Sequence, residues 1–133
     1  MNKITLALII AKPGHLRNGL QSLLRTVPQI EILAESNDPS ILLKIEETFP
    51  DLIVVDGALI DEDKWSVLTK IKVDWPGTKV ILLTENDQQG HSAREAGADY
   101  FLLKGFPATE LVHLVETSLI QDSREEIDLS TKE

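Results

Sequence analysis

The chain has 133 residues, enough for one domain with a real core, and contains no cysteine, which excludes a disulfide framework and thiolate metal sites. Acidic residues outnumber basic ones 22 to 13, for a net charge of −9, which argues against direct binding to nucleic acid because phosphate contacts need clustered Lys and Arg. No apolar run approaches a membrane span, and Met1–Ile4 lacks the long apolar segment of a signal peptide, so a cytoplasmic location and no membrane contact are expected.

In chain order, strand-like and helix-like patterns alternate. Ile4–Ile10 is a strand candidate, and Pro13 and Gly14 open a helix whose Leu16, Leu20, Leu23, Leu24 and Val27 fall on one face before Pro28 closes it. Ile30–Ala34 predicts a second strand. Asn37 or Asp38, before Pro39, caps a helix carrying Ile41, Leu42, Ile45 and Phe49, which Pro50 ends. Leu52–Val55 is apolar and mostly β-branched without alternation, the pattern of a strand covered on both faces. After an acidic loop, a helix from about Asp63 turns Val67, Leu68 and Ile71 inward and ends at the turn Trp75–Gly77. Lys79–Leu83 is the fourth strand, Asp87–Ala96 a polar helix, Tyr100–Leu103 a short fifth strand, and Glu110–Ile120 a last amphipathic helix with Leu111, Leu114, Val115 and Leu119 inward. The expected fold is α/β, a flavodoxin-like (βα)5 doubly wound parallel sheet of order 2-1-3-4-5. The domain is expected over residues 1–121, with 122–133, rich in charge and Ser, as a flexible tail or linker.

Asp56 ends the most apolar segment of the chain, which places a carboxylate where a buried strand leaves its sheet. Reactive groups of open parallel sheets collect at such carboxyl ends. A plain loop cap is the competing reading for Asp56, local hydroxyl bonding for Thr84, and a solvated lysine for Lys104. Asp61, Glu62 and Asp63 look like a metal cluster but are better read as the acidic first turn of a helix. His15, His91 and His113 have no ligand spacing and read as surface groups, and Trp65 and Trp75 as helix-packing residues, with Trp65 near the pocket.

Four segments resemble the receiver domain of bacterial response regulators: Leu16–Leu20, Phe49–Asp56, Val80–Thr84 and Glu95–Lys104. The first is similar to receivers of the branch that often carries helix-turn-helix output domains. The resemblance implies that Asp56 is the phosphoacceptor, that Thr84 offers a hydroxyl and Lys104 an ammonium to phosphoryl oxygens, and that Phe101 is the aromatic that changes rotamer on activation. It implies association rather than enzymatic turnover. Its partners would be a histidine kinase or phosphotransfer protein, and an output domain or a second copy through the face of the fourth helix, fifth strand and fifth helix, bordered by Gln88–Glu95.

The chain departs from that pattern where receivers carry two acidic residues after the first strand. Ala11 and Lys12 stand there, and no acid lies between Lys3 and Gln29. Only the Asp56 carboxylate and the Ala58 carbonyl remain as hard oxygen ligands, so Mg2+ binding is expected to be weak or absent and no cofactor is expected. Lys12 and Lys104 would then bracket Asp56, with a Lys12–Asp56 ion pair standing in for the metal; the plain alternative has Lys12 in solvent. The loop after Asp56 also lacks the Met-Pro pair and the following Gly common in the family, with Leu59 and Ile60 in their place. Two other functions stay open: a phosphorylation-independent pseudo-receiver acting as an interaction module, and a flavodoxin-like small-ligand binder. Against the second, the turn Lys12–Gly14 offers one glycine rather than a phosphate-cradling loop.

Overall fold

The computed structural model describes residues 4–43, 49–60 and 65–118, the side chains of Leu42, Leu43 and Trp65 excepted. Strands β1 (Thr5–Ile10), β2 (Ile30–Ser36), β3 (Leu52–Asp56), β4 (Lys79–Thr84) and β5 (Tyr100–Leu103) form one parallel sheet in the order β2-β1-β3-β4-β5. Between and after them run helices α1 (His15–Arg25), α2 (Trp65–Asp74), α3 (Asp87–Ala96) and α4 (residues 108–118). This is the doubly wound, flavodoxin-like order expected from the alternation of periods.

The period of two along each strand divides the core into two layers. Ala7 and Ile9 of β1, Val54 of β3, and Ile81 and Leu83 of β4 face α1 and α4, where Leu20, Leu24, Leu111 and Val115 cover them. Leu8, Ile10, Ile53, Val55, Val80 and Leu82 face the other way, against Leu68 and Ile71 of α2 and Ala93 of α3. All five residues of β3 are buried, as its unbroken apolar run requires. Each such aliphatic side chain contributes about 1.5–3 kcal/mol of burial free energy, so the sheet is a rigid platform for whatever its ends carry.

Local signals set the helix ends. The Thr26 hydroxyl donates to the Leu23 carbonyl at 2.6 Å where α1 stops, just before Pro28. The Asn86 side chain accepts from the Gln89 N–H at 2.9 Å and starts α3, and Gly97, at φ 128°, ends it in a conformation that side chains resist. Polar groups also pin the amino ends of the strands. Asp51 Oδ2 accepts from the Leu6 N–H at 2.9 Å, and Asp99, paired with Lys72 at 2.9 Å, accepts from the Val80 N–H at 2.8 Å.

The second helix differs from expectation. Its described part is a 3-10 helix, Pro39–Leu43, whose first turn is capped by Asp38 Oδ1 accepting from the Ser40 N–H at 2.9 Å. Ile41 packs on the core, Ile45 lies outside the described residues, and Phe49 is not a core residue. It is 50% exposed and stacks on Trp75, ring centroids 5.7 Å apart, which satisfies its ring outside the core. The acids at 61, 62 and 63 lie outside the described residues, as does the tail over 122–133. No helix among the described residues is long and apolar enough to cross a membrane.

Candidate functional site

The strand order brings the carboxyl ends of β1, β3, β4 and β5 side by side. Asp56, the last residue of β3, pairs in register with Leu83, and Thr84, the last of β4, with Leu103. One step beyond β5, the Lys104 N–H donates to the Thr84 carbonyl at 2.8 Å, which extends the ladder and fixes where the lysine side chain starts. On the other side, Ile10 pairs with Val55, so Ala11 stands beside Asp56.

Asp56 is 8% exposed. Its Oδ1 accepts from the Ala58 N–H at 2.9 Å, capping the 3-10 turn Gly57–Leu59, and also from Lys104 Nζ at 2.6 Å. The same oxygen thus caps the turn and pairs with the lysine. Among the described residues nothing donates to Oδ2. Lys104 Nζ reaches a second carboxylate, Glu85 Oε2, at 2.9 Å. Burial, the largest single influence, pulls the Lys104 ammonium down, but the hydrogen bonds to Asp56 and Glu85 and their negative charge outweigh it and hold its pKa above the ordinary 10.5.

The expected bracketing of Asp56 by two lysines is corrected by this geometry. Lys12 is exposed and, among the described residues, makes no ion pair with Asp56. The reason is local: Ala11 is wholly buried at the end of β1, and the turn that follows directs the next side chain into solvent. At the end of β1 it is Arg17 that makes the polar contacts: its Nε and Nη2 donate to the Ala11 carbonyl at 2.9 and 2.6 Å, with Glu35 3.8 Å from Nε. Gln21 also donates to Glu35.

Thr84 is fully buried, and its hydroxyl lies 3.5 Å from the Leu102 carbonyl, the long limit of a hydrogen bond. It is held there only weakly. Phe101 is half-buried, edge-on to His91 at 5.7 Å, and its ring fills the space above Gly90, where a Cβ would lie 2.3 Å from ring carbons. His15, His91 and His113 are exposed, and among the described residues no group of three or more His, Cys, Asp or Glu could hold a metal ion.

Sequence reasoning missed Glu85, Gln89 and the role of Gly57. An exposed Glu after a strand carries no pattern of its own. Gln89 Oε1 accepts from the Glu85 N–H at 2.8 Å, and a Cβ on Gly57 would come within 2.6 Å of the Leu83 carbonyl, so this position excludes a side chain by close approach. Two open hollows, of about 350 and 360 Å³, lie along β5 and share Phe101, Leu102 and Glu110.

Residues 7–116 match the family model described as response regulator receiver domain. The chain belongs to that family. As a receiver domain it is a unit of two-component signalling. It is similar to the response regulator protein VraR of Staphylococcus aureus strain Mu3, with 34% identity over 102 residues, 74% of this chain and 49% of the relative. It thus spans about half the length of the curated relatives it matches. Among solved structures, a LuxR-family two-component response regulator from Aurantimonas sp. SI85-9A1 superposes with a TM-score of 0.76 at 22% identity, over 98% of this chain and 100% of that one. The receiver domain of NarL from Mycobacterium tuberculosis does so with a TM-score of 0.73 at 22% identity, over 86% and 95% of the two chains. At that identity the two structures attest the receiver fold.

Proposed function

We propose that this receiver domain accepts a phosphoryl group on Asp56 in a pocket whose positive charge comes from Lys104 rather than from a metal ion. The observation that carries the reading is the division of labour on the Asp56 carboxylate: Oδ1 is held by the Ala58 N–H and by Lys104, and Oδ2, which has no donor among the described residues, is left for bonding to phosphorus. In the transfer, Oδ2 attacks the phosphorus of the donor, the bond to the leaving oxygen breaks, and that oxygen departs with the electron pair. Lys104 stands where it can hold an oxygen of the transferred group, and Thr84 is the neighbouring hydroxyl.

The residues present do not fit Mg2+, the ion that the family implies. An octahedral site needs several hard oxygen ligands. Here the end of β1 supplies the buried methyl of Ala11, its carbonyl is taken by the Arg17 guanidinium, and the Asp56 carboxylate is already paired with Lys104.

The donor would be a histidine kinase or a phosphotransfer protein, and the output a partner domain or a second receiver docking on the face of α3, β5 and α4, where the two hollows lie. On this reading the domain works by association, not by turnover of a substrate. The closed Lys104–Asp56 pair also favours a second reading, a pseudo-receiver whose pocket is held in one state without phosphorylation. Intact mass after incubation with acetyl phosphate, with and without Mg2+, separates the two. The expected result is an adduct of one phosphoryl group that forms without Mg2+ and is absent from Asp56→Asn. A folded protein that forms no adduct under either condition would establish the pseudo-receiver instead.

A further inference from the structure

Lys104 is shared. Its ammonium has three protons to donate, and two carboxylates receive from it: Asp56 Oδ1 at 2.6 Å and Glu85 Oε2 at 2.9 Å. Glu85 follows Thr84 directly, and its backbone is tied down, because its N–H donates to Gln89 Oε1 at 2.8 Å while the Gln89 N–H donates to Asn86 Oδ1 at 2.9 Å. Its side chain is 61% exposed, yet it reaches back from solvent to Lys104, the one cation among the described residues that touches Asp56. An exposed glutamate gains little from such a pair on its own. The consequence for the pocket is larger. A phosphoryl group on Asp56 brings up to two negative charges and oxygens that need donors, and Lys104 is the donor beside it.

We propose that Glu85 is a gate on the phosphorylation pocket, its carboxylate seated on Lys104 in the position that an oxygen of the incoming phosphoryl group must take. The gate rests on the reading of Asp56 as phosphoacceptor. With acetyl phosphate as donor, the Asp56 oxygen–phosphorus bond forms, the bond between phosphorus and the acetyl oxygen breaks, and acetate leaves with the electron pair, so charge balances without a proton or a metal. During that exchange Glu85, whose negative charge opposes the phosphoryl oxygens approaching the same ammonium, gives up Lys104 and swings into solvent, where its exposure already leaves room. Glu85 is thus a positioning residue that acts through Lys104, and it makes the resting pocket resist adventitious small donors.

The test compares the wild-type chain with Glu85→Gln, which removes the charge and keeps the shape, and Glu85→Ala, which removes both. Substitution at so exposed a position leaves the fold intact, as circular dichroism verifies. Adduct formation from acetyl phosphate is followed by intact mass, with Asp56→Asn as the blank. In parallel, acylation of Lys104 by a small amine-reactive reagent is followed by peptide mass, a readout that a merely structural glutamate would not move. Both rates are expected to rise roughly fivefold in the two variants, the effect of releasing one exposed ion pair and one like charge. An adduct seen only in the variants supports the gate equally. Equal adduct rates in all three proteins overturn the gate and leave the phosphoacceptor standing. Faster adducts with unchanged Lys104 acylation overturn it as well, because Glu85 then acts by another route. Absence of adduct from every protein means that the phosphoacceptor reading has failed, and the gate with it.

Discussion

The Lys104–Asp56 pair is the residue-scale determinant of this pocket, and its strength is open to measurement apart from any phosphoryl chemistry. The Asp56 side chain is 11% exposed and that of Lys104 25%, so the pair is partly desolvated and neither charge is well served by water alone. Replacing Lys104 by Met keeps most of the aliphatic stem and leaves the carboxylate with the Ala58 N–H as its described donor. We expect a loss of about 1–3 kcal/mol in urea unfolding at neutral pH. The pH dependence follows from the raised pKa of Lys104. A cation held above its ordinary 10.5 in the folded state adds stability that is fully present below that value and is lost as pH climbs through the folded-state pKa. The stability gap between wild type and Lys104→Met should therefore be flat from neutral pH up to 10.5 and shrink above it. A gap that widens with alkaline pH would show that the pair is not what Lys104 contributes.

At the scale of elements, the junction of α3 with β5 is the place where packing limits motion near the site. Gly90 lies on the buried face of α3 because the Phe101 ring occupies the position of its missing side chain. Gly90→Ala would set a methyl group 2.3 Å from ring carbons, so the ring must swing out toward solvent or α3 must lift. Either response costs about 1–3 kcal/mol by overpacking, set against the gain in helix propensity of about 1 kcal/mol, so urea unfolding should show a net loss. A more stable variant would mean that Phe101 leaves its seat freely. The same junction explains what was legible in the sequence. The bounds of α3 and β5 match those expected from a polar run followed by a short apolar one, and the structure shows Asn86 and Gly97 marking the helix ends. The helix expected after Asp38 was misjudged at Phe49, since an aromatic at helical spacing looks the same whether it enters the core or stacks on Trp75 at the rim. In the site, Asp56 and Lys104 could be read because strand ends announce them. Which of two lysines reaches Asp56 could not, because it depends on the direction of a turn after β1. Glu85 was hidden for a similar reason: its role comes from adjacency of β4 and β5 in space, which sequence spacing does not encode.

At the scale of the whole molecule, the parallel sheet separates two kinds of polar group. The amino ends carry structural pins such as Lys72 with Asp99, and the carboxyl ends carry Asp56, Glu85 and Lys104. Around both lies a chain with 22 acids against 13 bases, and this imbalance bears on what the domain can do alone. Phosphate contacts supply most of the affinity of any protein for duplex DNA, and each requires a cation placed on the backbone. With a net charge of −9 the domain repels the duplex at long range, and several of its described cations, Arg17, Lys72 and Lys104 among them, are already paired with carboxylates. Titration of a labelled duplex followed by fluorescence anisotropy at about 0.1 M salt should therefore give no binding tighter than roughly 10⁻⁴ M. Raising the salt should not reveal any, since screening weakens repulsion without creating contacts. Treatment with acetyl phosphate should leave the result unchanged, because an adduct on Asp56 adds negative charge. Micromolar binding by this chain, falling steeply with salt, would instead require a basic surface that its composition does not offer, and would reassign the output of the domain from protein association to direct contact with DNA.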